Sequence, residues 1–217
     1  QKIVEKWIDK YQNYNSNNWQ IDILSKRVIS WISNSKLTYE EAENAYKSKF
    51  DKIINKQINH LIIEISRSKN VDDKMIGCAA IILGGLSYNN SKFLTFGLGL
   101  LKKIIRDSFD NNYFPKSRSI RQLIFYLKYF ILIREWFKES QNSVPEHVDE
   151  TIYHLGQGYA FIWQNTGSDF LFNGNNLSNN HAFDNYLKKL GYKFNNDDQE
   201  LGGYTILKNK KTCLIID

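Results

Sequence analysis

The last sixteen residues, Gly202 to Asp217, constrain the fold most, because they read as a β-hairpin attached to a chain whose periodicity is otherwise helical nearly throughout. Tyr204, Ile206 and Lys208 alternate with Thr205 and Leu207, Lys208 to Lys211 can turn, and Thr212 to Ile216 is β-branched and apolar. A hairpin alone is marginally stable in water, so Cys213-Leu-Ile-Ile216 needs further strands or a core against it. The expectation is a helical domain over residues 1–195, followed at 196–217 by the first strands of a truncated β-domain. The other end reads alike. The chain begins at Gln1 inside an amphipathic pattern of Ile3, Val4, Trp7, Ile8 and Tyr11, so both ends are expected to be cut, and the lack of a signal peptide carries no information.

Within the helical part, Asp22 is the expected N-cap of a helix with Leu24, Val28, Trp31 and Ile32 on one face, ended by Asn34-Ser35. A capping box at Thr38 and Glu41 then opens a long helix with a stripe through Ala42, Ala45, Tyr46, Ile53, Ile54, Leu61 and Ile65. Asp72 is expected to start a more buried helix, Asn89-Asn90-Ser91 to separate it from one reaching about Phe109, and Gly84, Gly85, Gly97 and Gly99 to permit close packing. Further helices are expected from about Ser119 to Ser140, from Val144-Pro145 to about Trp163, and from about Asn180 to Leu190, the last closed by Gly191. Short loops imply antiparallel neighbours, which fits a solenoid, a bundle or a closed α/α-toroid; no strict repeat favours the solenoid.

Composition excludes some classes. A content of 42% hydrophobic residues in 217 argues against disorder. The most apolar run, Cys78 to Leu86, is far shorter than the roughly 18 residues that cross a bilayer, so no membrane span is expected. Cys78 and Cys213 lie in apolar stretches with no metal or redox spacing, so both are expected as buried thiols, with no metal and no cofactor. The net charge of +6 invites a polyanionic partner, although lysine spread among Asn and Ile also fits an AT-biased coding sequence.

Four segments occur in a telling order: Asn18-Trp19 through Arg27 to Trp31-Ile32; Gln57-Ile-Asn-His60-Leu61; Phe114-Pro-Lys-Ser-Arg118-Ser-Ile120; and Phe172-Asn-Gly174 with the strands around Gly203-Tyr204 and Leu214 to Asp217. Together they resemble the heparinase II/III-like family, in its early Trp, Arg and Trp-Ile segment, its Ser-Arg-Ser/Asn-Pro segment and the opening strands of its sandwich. The resemblance implies a mainly α chain, an incomplete α/α-toroid of antiparallel helix pairs followed by a C-terminal hairpin that opens a truncated β-sandwich. It also implies polysaccharide lyase-like chemistry, acidic uronate polysaccharide rather than nucleic acid as partner, and a periplasmic or cell-envelope address.

Such a lyase neutralises the sugar carboxylate, removes the C5 proton and protonates the leaving oxygen by β-elimination. Arg118, at a loop-to-helix junction, is the candidate to receive the carboxylate. Gln57 and His60, one turn apart, Tyr113 near the junction and Trp19 in a polar loop complete the substrate-binding candidates, Trp19 as a sugar-stacking ring. Bland roles stand beside these: a surface arginine, a structural histidine, a core aromatic. Two positions depart from active members. Gln122 stands where they carry the acid/base Tyr, and Asp72-Asp73 where they carry an Asn-His pair; their remaining catalytic His belongs to the sandwich. Cleavage is therefore open, with a non-catalytic carbohydrate-binding or cell-envelope scaffold protein, and a helical-repeat interaction module, as alternatives.

Overall fold

The computed structural model describes residues 1–166, 181–210 and 212–217. The expected match at Phe172 to Gly174, and Lys211 in the turn, lie outside them. The described chain is mainly helical and ends in a small three-stranded antiparallel sheet. It divides into two compact units, Gln1–Ile104 with Glu135–Ser143, and Ile105–Arg134 with Val144–Asp217.

The first unit holds α1 (Lys2–Tyr11), α2 (Ile21–Ser33), the short α3 (Ser35–Thr38), α4 (Asn44–Ile65), α5 (Val71–Ser87) and most of α6 (Ser91–Ser108). Apolar residues at three- and four-residue spacing decide the buried faces. Leu24 and Val28 of α2 meet a stripe on α4 that runs through Phe50, Ile53, Ile54, Ile58, Leu61 and Ile65. Helix α5 is buried on every side from Met75 to Leu86, because α2 and α4 both pack on it. Two glycines set how closely α6 approaches α5. A Cβ on Gly85 would lie 2.8 Å from the backbone nitrogen of Leu94, and one on Gly97 would lie 2.6 Å from Ile82 Cγ1. Gly99, expected to act likewise, faces open space.

Three expected helix starts are corrected. Gln20, not Asp22, is the N-cap of α2, and Asp22 sits in the first turn, where a carboxylate favours the helix dipole. The Thr38 hydroxyl donates to Trp31 O (2.7 Å) and Asn34 O (3.0 Å), so Thr38 closes α3 and α4 begins at Asn44. Asn70, not Asp72, caps α5, its Oδ1 accepting the backbone N–H groups of Asp72 (2.9 Å) and Asp73 (3.4 Å).

The second unit holds most of α7 (Ile120–Glu139), α8 (Glu146–Thr166), α9 (His181–Lys189) and the sheet β1 (Glu200–Leu201), β2 (Tyr204–Lys208) and β3 (Cys213–Ile216), ordered β1-β2-β3. Leu123, Tyr126, Leu127 and Phe130 of α7 and Val148, Ile152, Leu155 and Tyr159 of α8 are core residues. Arg134 of α7 donates to Asp149 of α8 (2.5 Å) and to the Tyr192 hydroxyl (3.1 Å). Gly191, at φ +79, closes α9 in the left-handed conformation its position calls for.

The expected pairing of β2 with β3 is present, with Thr205 opposite Ile216 and Leu207 opposite Leu214, and β1 adds a third strand. Alternation sorts the faces: Tyr204 and Ile206 are buried, while Leu207, Leu214 and Ile216 are exposed. Cys78 is buried as expected, but Cys213 is exposed, because β3 presents most of its side chains to solvent.

Candidate functional site

The loop between α6 and α7 places two of the expected residues, Tyr113 and Arg118. Asp110 organises it. Its carboxylate accepts the N–H groups of Asn112 (2.9 Å) and Phe114 (2.8 Å), its own N–H donates to Phe114 O (2.9 Å), and Phe109 bridges Pro115. The backbone is left-handed at Tyr113 (φ 59) and Arg118 (φ 55), a conformation that costs a residue with a side chain on the order of 1–2 kcal/mol.

Tyr113 lies flat on His154, with ring centres 4.6 Å apart and planes 9° from parallel, and Tyr153 meets the same imidazole edge-on at 5.2 Å. Tyr153 and His154 follow one another on α8 and Glu150 precedes His154 by one turn, so one stretch of helix supplies all three. Burial, then the hydrogen bond to Glu150 and its negative charge, push the Tyr113 phenol above its ordinary pKa. A phenol held protonated against a carboxylate is a donor and a poor general base. Tyr153 is 59% exposed, so the three rings present a step of aromatic surface to solvent.

Arg118 faces its own chain. Its Nη2 donates to Gly203 O (2.5 Å), it pairs with the Asp217 carboxylate, its Cζ lies 4.9 Å from the Tyr204 ring centre, and its carbonyl accepts the Tyr204 hydroxyl (2.6 Å). The guanidinium thus fastens the sheet to the loop, and the carboxylate it holds is the chain's own. Gln122 accepts the Ser117 hydroxyl (2.6 Å) at the start of α7.

The other three expected residues belong to the first unit. Trp19 is 3% exposed, donates its indole N–H to Tyr11 O (3.2 Å) and meets His60 edge-on at 5.2 Å. Its ring is core and offers no face to a sugar, although residues 12–17 before it are exposed. His60 also lies 5.6 Å from Tyr14. Gln57 is fully buried, and its Oε1 accepts Arg27 Nε (3.0 Å).

Sequence reasoning passed over Arg27 as a site residue. Its Nη1 donates to Asn18 O (2.9 Å) and its guanidinium lies 4.0 Å from the centre of the Trp7 ring. No carboxylate pairs with it among the described residues, and Arg27 Nη2 and Gln57 Nε2 are both sealed without a hydrogen-bond partner. Burial lowers the Arg27 pKa to about 10, which leaves it charged at neutral pH. Arg27 and Gln57 tie α2 to α4 as a polar pair inside an apolar unit.

Asp72 and Asp73 occupy the first turn of α5, where burial and the neighbouring Asp22 and Asp72 charges raise the Asp73 pKa. Among the described residues no group of His, Cys, Asp and Glu is arranged to hold a metal ion, and no helix is long and apolar enough to cross a membrane. Against family models, curated proteins and solved structures, the chain finds no match.

Proposed function

We propose that this chain binds acidic, uronate-containing polysaccharide without cleaving it, through the aromatic step of Tyr113, His154 and Tyr153, and that the toroid-and-sandwich architecture of the heparinase II/III-like proteins is its parent fold. The observation that carries the reading is the solvent-facing stack itself. A tyrosine is held in a left-handed backbone conformation so that its ring lies flat on an imidazole beside an exposed Tyr153. Pyranose rings present C–H groups that pack on such faces, and the Tyr and His polar edges supply hydrogen bonds to hydroxyls. The net charge of +6 favours an anionic polymer over a neutral one.

The acid/base chemistry supports binding without cleavage. Gln122 cannot take a proton, Tyr113 is held protonated against Glu150, and Arg118 is engaged by Asp217 and Gly203 O. The test is titration of the folded chain with heparan-type, alginate and chondroitin oligosaccharides, alongside absorbance of the unsaturated uronate product. Expected are saturable binding to at least one polymer, weakened about tenfold by Tyr153→Ala, and no absorbance rise. Growth of the unsaturated chromophore would instead support the lyase reading. Binding that is unchanged in Tyr153→Ala and vanishes with salt equally for polysaccharide and DNA would replace both readings with nonspecific charge.

A further inference from the structure

A cleft of about 390 Å³ opens in the first unit, lined by Trp31 and Ile32 of α2, Ser35, Tyr39 and Glu40 at α3 and its end, Phe50 and Asp51 of α4, and Ser87 and Tyr88 at the end of α5. Its walls are aromatic. Trp31 and Phe50 lie 5.8 Å apart, Tyr39 and Phe50 5.3 Å, and Tyr39 and Tyr88 meet at the same carboxylate. The Tyr39 hydroxyl donates to Asp51 Oδ2 (3.0 Å) and the Tyr88 hydroxyl to Asp51 Oδ1 (2.9 Å), so both oxygens are fixed in place while each keeps further acceptor capacity. No cation pairs with Asp51 among the described residues. Burial and the Asp51 charge push both phenols above their ordinary pKa, which keeps them protonated donors.

The sign of the field is consistent. Asp51 and Glu40 are the charged residues of the lining, which contains no basic side chain. The C-terminal turns of α2 and α5 both contribute to the lining, and a helix C-terminus carries partial negative charge. Two cations beside these rings are already engaged: Lys47 donates to Glu40 O (2.9 Å) and lies 5.4 Å from the Tyr39 ring centre, and Arg27, bonded to Gln57 and Asn18, lies 5.9 Å from that of Trp31. A basic chain has here an acidic, ring-lined recess.

From this geometry we infer that the cleft is a binding site for a small organic cation, a quaternary ammonium group, held over the faces of Trp31, Tyr39 and Tyr88 with Asp51 as its counter-charge. A quaternary ammonium donates no conventional hydrogen bond, so ring faces and a carboxylate whose oxygens are already oriented by phenols suit it. The site is separate in residues and opposite in ligand charge from the carbohydrate reading above, and it stands without that reading.

The experiment titrates the folded chain with choline, with tetramethylammonium and with 3,3-dimethylbutan-1-ol, the uncharged isostere of choline, by calorimetry and ligand-observed NMR. Both cations are expected to bind saturably, and the alcohol at least about tenfold more weakly, since it keeps the shape and loses the charge. Asp51→Asn, which retains an acceptor for one phenol, is expected to weaken choline about tenfold with an unchanged circular dichroism spectrum. Should that variant unfold, the comparison of choline with its isostere on the unaltered chain decides alone. Equal affinity for choline and the alcohol, choline binding unchanged in folded Asp51→Asn, or no saturable binding of either cation overturns the inference.

Discussion

Arg27 and Gln57 are most directly tested by a double-mutant cycle. Arg27→Met removes two charge-assisted hydrogen bonds, to Gln57 Oε1 and Asn18 O, and leaves a fully buried amide with neither end satisfied. At roughly 1.5 kcal/mol or more for each such bond, the loss is about 3 kcal/mol, with Met filling much of the stem's volume against Trp7. Gln57→Leu takes the acceptor from a buried guanidinium nitrogen but also deletes the unpartnered Nε2, so it costs about 2 kcal/mol. In the double variant the shared bond is lost once rather than twice and no orphaned amide remains. The expected loss is therefore about 3 kcal/mol instead of the additive 5, a coupling of about 2 kcal/mol. Equilibrium urea unfolding followed by tryptophan fluorescence measures all four corners. Additivity within about 0.5 kcal/mol, or an Arg27→Met loss below about 1 kcal/mol, would refute the claim that these residues act as one buried unit.

Two further outcomes follow from other contacts. The phenols of Tyr39 and Tyr88 have folded pKa values raised by burial and by Asp51, so the unfolded chain releases their protons first as pH rises past about 10. Stability from these groups is full below that pH and is lost above it. Arg27, lowered to about 10, acts oppositely between that value and its ordinary one, so the informative quantity is a difference: Tyr88→Phe should flatten the decline in urea stability between about pH 9 and about pH 11. An unchanged slope would exclude Tyr88 as its source. Gly85→Ala should destabilise by about 2 kcal/mol, because its Cβ meets the Leu94 backbone, whereas Gly99→Ala, in open space on the same helix pair, should stabilise by up to about 1 kcal/mol. Thermal melts that rank the two variants the other way would contradict the close approach of α5 and α6.

What the sequence made legible depended on range. The β2–β3 pairing follows from period-two alternation and a turn within a few residues, and Gly191 ends α9 by a purely local conformational need. Helix starts were less legible, because Thr38 and Glu41 satisfy a capping pattern that Asn34, Trp31 and the short α3 use differently. Trp19 read as exposed because its neighbours are polar, but its burial depends on Tyr11 and His60, the latter forty-one residues further on. Arg27 entered the sequence reading only as one residue of the Asn18-to-Ile32 segment; Gln57, thirty residues later, and Trp7 show it to be interior. The ring-lined cleft was not legible at all, since Tyr39, Asp51 and Tyr88 come from three different elements and no spacing rule joins them.

The C-terminal strands also acquire a physical basis that their sequence lacked. A short hairpin is marginal alone, yet Tyr204 is fully buried edge-on against Phe114, and its hydroxyl bonds the carbonyl of Arg118. Arg118 in turn bonds Gly203 and pairs with Asp217, so one arginine contacts the β1–β2 turn and the residue after β3. Gly203 itself sits at φ +81 beside that guanidinium, where a Cβ would come within 2.8 Å of Arg118 Cζ. Loop and sheet therefore specify each other: the left-handed backbone at Arg118 costs energy that the loop recovers only with the sheet in place. Phe114, on which Tyr204 packs, has its backbone N–H bonded to the Asp110 carboxylate. Because Tyr113 donates its backbone N–H to Asp110 O in the same turn, a change in the strands would reach the proposed carbohydrate platform through this loop, although the strands do not line it.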